Sequence, residues 1–317
     1  MNELQSVVDL AMPDIERSHY DMAIFCTGFE SRCTFFAEQI AKQGIRTRMT
    51  SVIGFAEDRA DPQRLKNDAR MKALLGTEQT IVSGSSDQPL YEVLFGVQSQ
   101  ESDTLRILLD ITSMSRVWYS AVLNWSRFAS SNHRVEVDIV YCVAEYEEDY
   151  PHRVISSISA IPGCEGYPDP RGEVIAIFGL GLDGLSPLAV LDDLEPDDIL
   201  GFAAARDGQR VLDARTQEAN QGLLDLFRDC LIFPLLSVQQ TYAGLLEIVS
   251  PHVGNRNVVI IPLGPKSHVL SSILVSMKKP EVECLHIAGR SARKMYAQPT
   301  GEIAMARIVF ASAASGA

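Results

Sequence analysis

The sequence predicts an α/β protein made of two tandem lobes, each a doubly wound, mostly parallel sheet. Three observations support this fold class. Short apolar runs typical of buried parallel strands alternate with helix-like segments, and parallel neighbours need such crossover helices. A length of 317 residues is sufficient for about two domains. A strand, turn and helix of the first half also return in the second half at a nearly constant spacing.

The first lobe is predicted over residues 1–150. Helix-like segments separate five strand-like apolar runs, at 22–27, 48–55, 80–82, 105–110 and 135–144. Residues 1–17 are predicted to form a short leading helix that breaks near Pro13. Gly28 directly follows the first run, where a strand-to-helix turn needs an open backbone. We expect the lobe to be Rossmann-like, with right-handed crossovers between its strands.

The second Rossmann-like lobe is predicted over residues 173–317, after a proline-rich connection at 151–172 that contains one short strand at 153–158. A helical insertion is expected at about 216–249, interrupted near Pro234. A last strand or short helix at 302–311 is expected at an edge of this lobe. Its other predicted strands are 174–179, 199–204, 258–262 and 282–288.

Two local matches indicate that the lobes are related by internal duplication. Ala23–Phe25 matches Ala176–Phe178 at an offset of 153 residues (176 − 23). Ser120–Leu123 resembles Ser271–Leu274 at an offset of 151 residues (271 − 120). Because both matches keep the order of strand, turn and helix, they predict a repeated unit.

Composition restricts the classes of partner. A formal net charge of −13 argues against bulk binding of nucleic acid or of an anionic membrane. The six cysteines form no C-x-x-C pair and no cluster at zinc spacing, so no metal site is expected. No apolar run approaches a membrane span and no signal peptide is evident, so we expect a cytoplasmic protein. The residues do not identify a cofactor.

The strand, turn and helix at Leu105–Leu123 form the strongest candidate site. Helix N-termini carry unpaired N–H groups and the positive end of the helix dipole, and in open α/β sheets ligands bind at the carboxyl ends of the strands. Hydroxyl groups in this turn can bind a phosphate, or they can simply cap the helix. The candidate ligand-binding residues here are Asp110, Thr112, Ser113, Ser115 and Arg116.

Three further turns end predicted strands, and two symmetric lobes would bring all four turns to one shared cleft. We therefore expect a nucleotide-like or otherwise phosphorylated small molecule to bind there. The candidates in these turns are Gly28, Glu30, Arg32, Gly181, Asp183, Gly264, Lys266, Ser267 and His268.

Several of these residues also have a plain structural interpretation. Lys266 either faces a bound anion or points into solvent. His268 is either a packed or capping histidine or, in an enzyme, the group that transfers a proton while Asp110 and Lys266 hold the substrate. Asp110 is either a turn former or an acceptor for a ribose hydroxyl. Glu30 and Asp183 are favoured in a first helical turn by the helix dipole alone.

The turn Asp110-Ile111-Thr112-Ser113-Met114-Ser115-Arg116 resembles the ligand turn of CRISPR-associated Rossmann-fold (CARF) sensor domains, Asp-hydrophobic-Thr-Gly-Gly-Thr-Lys. Ser113 and Met114 stand where that family has two glycines. The resemblance implies a regulatory module that binds a nucleotide, including a cyclic oligonucleotide, in a bacterial antiviral role.

The same turn is also similar to the phosphoribosyl-diphosphate loop of phosphoribosyltransferases. That loop begins with two acids, whereas Leu109 precedes Asp110 here.

The leading expectation is a ligand sensor that signals to a partner chain or to a second copy of this chain. One alternative is an enzyme acting on a nucleotide or sugar phosphate, either phosphoribosyltransferase-like or a hydrolase. The other alternative is a structural subunit of a larger assembly.

Overall fold

The computed structural model describes residues 2–312, apart from residues 85, 98–102, 130–133, 147–149, 151–152, 207–208, 210 and 292 and the side chain of residue 290. The chain divides into two compact units. The first consists of Met1–Glu147 together with Tyr296–Ala317, and the second consists of Glu148–Met295. Each unit contains one sheet of mostly parallel strands, which confirms the predicted fold class.

The strands are β1 (Glu3–Asp9), β2 (His19–Thr27), β3 (Arg46–Phe55), β4 (Gln79–Val82), β5 (Thr104–Asp110), β6 (Arg134–Glu145), β7 (Arg153–Ala160), β8 (Val174–Gly179), β9 (Asp198–Ala205), β10 (Cys230–Pro234), β11 (Asn257–Pro262), β12 (Glu283–Ser291) and β13 (Gln298–Ala311). The helices are α1 (Met12–Glu16), α2 (Phe35–Gln43), α3 (Pro62–Leu75), α4 (Gln88–Phe95), α5 (Arg116–Phe128), α6 (Leu185–Leu194), α7 (Ala214–Ala219), α8 (Gln221–Leu224), α9 (Val238–Val249) and α10 (Lys266–Lys278). A 3-10 helix at Ser31–Thr34 leads into α2.

The first sheet has the strand order β1-β13-β6-β5-β2-β3-β4. Strands β2 to β6 are parallel, and in chain order they are arranged 3-2-1-4-5 from β4 to β6. This is the strand order of a Rossmann-like sheet. The direction of winding reverses between β2 and β5, so the turns after these two strands meet at the switch point.

The second sheet has the strand order β10-β9-β8-β11-β12-β7. Its five parallel strands follow the same 3-2-1-4-5 arrangement, and β7 adds an antiparallel edge next to β12. The switch point of this unit therefore lies between β8 and β11. Because this order is common to Rossmann-like sheets, it does not by itself establish the duplication, which stays a prediction.

Three segments differ from the sequence-based expectation. The leading segment forms strand β1 before the short helix α1. The segment predicted as a helical insertion contains β10, which pairs in parallel with β9. The last segment, assigned by sequence to the second lobe, forms β13 and pairs with β1 and β6 of the first sheet.

Each sheet has its own apolar core. In the first unit, Phe25 and Val140 on the strands pack with Phe36 of α2. In the second unit, Phe178 and Ile261 pack with Val190 of α6. Within the described part of the chain, every helix is too short or too polar to cross a membrane.

A buried carboxylate fastens β13 into the first sheet. Asp138 of β6 is 1% exposed and accepts two hydrogen bonds from the Arg307 guanidinium of β13, at 2.7 and 2.8 Å. The Tyr20 hydroxyl of β2 donates a third bond to Asp138, at 2.7 Å. Burial and the adjacent Asp138 charge raise the pKa of Tyr20 well above its ordinary value. Three strands are therefore held by one carboxylate.

We predict that Arg307→Met destabilises the first unit by about 3 kcal/mol, because it leaves the buried Asp138 charge without its cation. Urea unfolding followed by tryptophan fluorescence measures this loss, since Trp118 and Trp125 both belong to the first unit. The control is Arg17→Met, at an exposed arginine of the same unit. Equal stability losses in the two variants would show that the ion pair does not hold β13.

Candidate functional site

The turn after β5 is built around Asp110, which is 2% exposed. Its carboxylate accepts a hydrogen bond from the Thr112 backbone N–H at 2.9 Å. The Thr112 hydroxyl in turn accepts a bond from the Cys142 backbone N–H at 3.0 Å. Asp110 and Thr112 therefore shape the turn and attach it to β6, as expected of a turn former.

The two serines of this turn differ in their contacts. Ser115 is the N-cap of α5, and its hydroxyl accepts a hydrogen bond from the Trp118 backbone N–H at 3.3 Å. The Ser113 hydroxyl is buried and has no hydrogen-bond partner among the described residues. Arg116 follows as the first residue of α5 and is half-buried. Because a buried hydroxyl without a partner is costly, Ser113 calls for an explanation.

The turn after β2 lies against Ser113. A Cβ placed on Gly28 would lie 3.6 Å from the Ser113 Cβ, which is an ordinary van der Waals contact. The two turns predicted to meet at the switch point of the first unit are therefore adjacent.

Arg32 and Glu30, both in the turn after β2, form a buried ion pair. The Nε–Oε2 distance is 2.7 Å, and the guanidinium also donates to the Cys142 carbonyl at 2.8 Å. It lies over the Tyr141 ring, 5.6 Å from its centroid. Burial acts to lower the pKa of Arg32, but Glu30 and the nearby tyrosines keep it above the ordinary value. Arg32 is thus a fixed cation whose charge Glu30 already balances.

Sequence reasoning missed a polar cluster on α3. Arg64 is 1% exposed; it donates to Asp68 at 2.6 Å and, at 3.4 Å, to Gln79, which also accepts a bond from the Thr27 hydroxyl at 2.9 Å. The guanidinium occupies the place that a Cβ on Gly54 would need. The clue in the sequence was the spacing of polar residues at positions 64, 67 and 68, which places them on one helix face.

A cavity of about 200 Å³ lies beside this cluster, lined by β3, by the later part of α3 and by residues 77–79. Lys72 and Glu78, both in its lining, form an ion pair. No residue of the turns after β2 and β5 lines this cavity, so it is distinct from the switch point.

The chain re-enters the first unit at Tyr296 and immediately contacts the turn after β2. The Ser31 hydroxyl lies 2.6 Å from the Gln298 side-chain oxygen and 3.3 Å from the Ala297 carbonyl. The Phe29 ring packs edge-to-face on Tyr296. The Tyr296 hydroxyl donates to Asp61, the N-cap of α3, at 3.0 Å. A change in the conformation of the turn after β2 would therefore alter the contacts of the segment that begins at Tyr296.

The corresponding turns of the second unit pack backbone against backbone. A Cβ on Gly181 would clash with the Leu263 carbonyl oxygen, and a Cβ on Gly264 would lie 2.8 Å from the Leu180 carbonyl oxygen. Asp183 is 6% exposed and binds the Ser186 hydroxyl at 2.6 Å and, more weakly, the Ser186 backbone N–H. The carboxylate of Asp183 therefore supports the start of α6.

The three candidates at the start of α10 are consecutive in sequence, but their surroundings differ. Lys266 is half-buried at the first helical position. The Ser267 hydroxyl donates to the Leu235 carbonyl at 2.7 Å, and His268 Nε2 lies 3.2 Å from the Pro234 carbonyl. These bonds attach α10 to the end of β10.

His268 is enclosed in the core of the second unit. It is 1% exposed, its ring is stacked against Phe202, and Phe233 meets it edge-on. Burial lowers the pKa of His268 to about 4. The imidazole is therefore neutral at pH 7, as the packed interpretation expects.

The buried thiols beside the first turns are poor nucleophiles. Burial raises the pKa of Cys33 to about 12, and it also raises that of Cys142. A thiol is reactive as its thiolate, so neither group supplies one near pH 7. Among the described residues, no group of three or more His, Cys, Asp or Glu side chains could hold a metal ion.

No protein-family model matches this chain, and no curated protein matches it. Among solved structures, it is similar to an adenylation, ketoreductase and pseudo-Asub multidomain structure of a keto acid-selecting NRPS module, with a TM-score of 0.24 and 10% sequence identity. The match covers 89% of this chain and 30% of that chain, so this chain spans less than a third of its length. A TM-score this low carries no argument about fold or function.

We predict that an alanine substitution lowers the stability of the protein at Gly181 but not at Gly28, the glycine in the corresponding turn of the first unit. Gly181→Ala forces its Cβ onto the Leu263 carbonyl and should cost about 1–3 kcal/mol, as overpacking does. Gly28→Ala places its Cβ in ordinary contact and should change stability by less than about 1 kcal/mol. Urea unfolding followed by far-UV circular dichroism compares the variants. Equal costs would show that the two switch points are packed alike.

We predict that His268 makes the second unit less stable in acid. Its pKa falls from an ordinary 6.5 to about 4 on folding, so the unfolded chain binds the additional proton between these values. Stability therefore decreases as the pH falls through that window, by about 3 kcal/mol in all. His268→Gln, which keeps a donor for the Pro234 carbonyl, should lose less stability than the wild type between about pH 7 and pH 4.5, a range that spans most of this window.

The control for this pH effect is Ser272→Ala in α10, which removes the hydroxyl bonded to the His268 carbonyl and removes no ionisable group. It should keep the wild-type dependence of unfolding free energy on pH. If His268→Gln also keeps that dependence, then His268 does not carry the acid sensitivity.

Proposed function

We propose that the first unit binds a phosphorylated small molecule, of the nucleotide class, at the turns after β2 and β5, and that the chain acts as a ligand sensor. The observation that carries this proposal is the Ser113 hydroxyl, buried at the switch point without a hydrogen-bond partner among the described residues. A phosphate oxygen would accept a hydrogen bond from this hydroxyl. Such a bond would relieve the cost of leaving the hydroxyl unpaired.

The surroundings of Ser113 favour an anion. It lies two residues before the N-cap Ser115 of α5, a helix of 13 residues, and the N-terminus of a helix attracts negative charge. Gly28 lies beside Ser113 and has no side chain, and even an added Cβ there would make only an ordinary van der Waals contact with Ser113. The resemblance of this turn to the CARF ligand turn supports a nucleotide as the phosphorylated species.

We favour the first unit over the shared cleft expected from sequence. At the switch point of the first unit, Gly28 lies next to the Ser113 side chain. At that of the second unit, Gly181 packs against the Leu263 backbone carbonyl. A hydroxyl can turn toward a ligand by rotation about one bond. The turns of the second unit would have to separate first.

Binding without turnover fits the contacts better than catalysis. Asp110 is engaged by the Thr112 N–H, and His268 is buried among aromatic rings. Neither of these two groups is presented for proton transfer. The enzyme alternative therefore comes second to the sensor.

The response would pass through the returning segment at Tyr296, which contacts the turn after β2 through Phe29 and Ser31. We propose that a cytoplasmic sensor of this kind acts on another protein chain or on a second copy of itself. The proposed role in bacterial antiviral defence rests on the CARF resemblance alone.

We predict that inorganic phosphate, AMP or a cyclic dinucleotide raises the melting temperature of the protein and changes its tryptophan fluorescence, to which Trp118 contributes. The Trp118 backbone N–H binds the Ser115 hydroxyl, and its ring stacks on Phe55. Ligand at about 100 times its dissociation constant should add roughly 2.7 kcal/mol of stability. Ser113→Ala should weaken binding at least about tenfold, since it removes a bond to a charged group.

Ser113→Ala should leave the free protein at least as stable as the wild type, because the hydroxyl has no partner there to lose. The control is Ser126→Ala in α5, whose hydroxyl binds the Val122 carbonyl; it should keep the wild-type affinity. Chromatography of the ligand after incubation should recover it intact. Recovery of a new compound would replace the sensor by the enzyme alternative, and no binding by any of the three probes would favour a structural subunit.

A further inference from the structure

A buried side-chain amide holds the turn after β2 in the first unit. Asn67 of α3 is 4% exposed, and its Nδ2 donates to the carbonyls of Gly28, at 2.8 Å, and Glu30, at 3.0 Å. Its Oδ1 accepts a bond from Gln63 at 3.0 Å. Both N–H groups of one amide are thus used on two carbonyls of the same turn.

The second unit contains the same bond. Asn220 is 2% exposed, and its Nδ2 donates to the Gly181 carbonyl at 2.7 Å. Asparagine and glycine are separated by 39 residues in both units. The two asparagines are 153 residues apart (220 − 67), as are the two glycines (181 − 28). We call this bond between asparagine and glycine the amide latch.

The latch determines which way the peptide groups of the turn point. In a planar trans peptide, the C=O and the following N–H point in opposite directions. When Asn67 holds the carbonyls of Gly28 and Glu30, the N–H groups of Phe29 and Ser31 are turned away from α3. Ser31 also begins the 3-10 helix that leads into α2. Backbone N–H groups of such a first strand-to-helix turn bind phosphate in Rossmann-like sheets.

We propose that Asn67 is a positioning residue, which orients the backbone N–H groups of the turn after β2 toward a bound anion, and that Asn220 is its structural equivalent in the second unit. The part that concerns an anion rests on the function proposed above. If Asn67 had a purely structural role, replacing it would lower the stability of the protein and leave the phosphate affinity of the folded protein unchanged.

The test uses the full chain and inorganic phosphate as the probe. Asn67→Leu and Asn67→Asp both remove the amide donors at nearly constant size. Amide hydrogen exchange of residues 28–32 measures how well the turn is held. Tryptophan fluorescence measures phosphate affinity at a temperature where each variant is folded. The matched control is Gln63→Met, which removes the bond to Asn67 Oδ1 and leaves the bonds from Asn67 Nδ2 to the Gly28 and Glu30 carbonyls in place.

We expect both Asn67 variants to exchange about tenfold faster over residues 28–32 and to bind phosphate about tenfold more weakly, the change that corresponds to one lost hydrogen bond. Gln63→Met should remain within about twofold of the wild type in both measurements. Asn220→Leu should accelerate exchange over residues 180–184 and leave phosphate affinity unchanged.

The outcomes separate the two proposals. Wild-type exchange over residues 28–32 in the Asn67 variants would overturn the latch, whether or not phosphate binds. Faster exchange with wild-type phosphate affinity would reduce Asn67 to a structural role. If the wild-type protein does not bind phosphate, AMP or a cyclic dinucleotide, the function proposed above fails, and faster exchange in the variants would then support only the orienting part of the proposal.

Discussion

In both units the glycine carbonyl of the turn after the first parallel strand accepts a hydrogen bond from a buried asparagine amide, and a carbonyl shielded from water needs such a donor. Asn67 supplies the donor in the first unit and Asn220 supplies it in the second. A side-chain amide suits the task because it offers two N–H groups and no charge. Since each turn lies at the switch point of its sheet, the orientation of the backbone groups at that point depends on this bond.

The two switch points differ in how easily their turns can rearrange. In the second unit, Gly181 packs on the Leu263 carbonyl, and a carbonyl moves only if its backbone moves. In the first unit, Gly28 meets the side chain of Ser113, and a side chain moves by rotation. The same strand order therefore supports one rigid junction and one adjustable junction. This difference, more than the fold, is what favours the first unit as the place of binding.

Local patterns predicted the parallel strands other than β10, and the turn at Asp110, because apolar runs and turn residues act over a few positions. Strand β1 was missed, since its partner β13 lies near the other end of the chain and no local pattern reports such a pairing. Asn67 was missed because polar residues on a helix normally indicate a solvated face. For His268, sequence left a packed and a catalytic role open, and only its aromatic neighbours in the folded protein favour the packed one.

The latch also bears on the predicted duplication. Apolar strands such as Ala23–Phe25 and Ala176–Phe178 resemble each other in any buried parallel sheet, so their match is weak support for common origin. The fold does not require that a carbonyl be satisfied by an asparagine 39 residues later, because backbone groups or water serve equally well. Finding that bond twice is stronger support. If the units share an ancestor, they began with one turn geometry, and the close packing of Gly181 on Leu263 is a departure that belongs to one unit. The first unit, in which that contact is absent at Gly28, is then the better guide to the turn geometry of that ancestor.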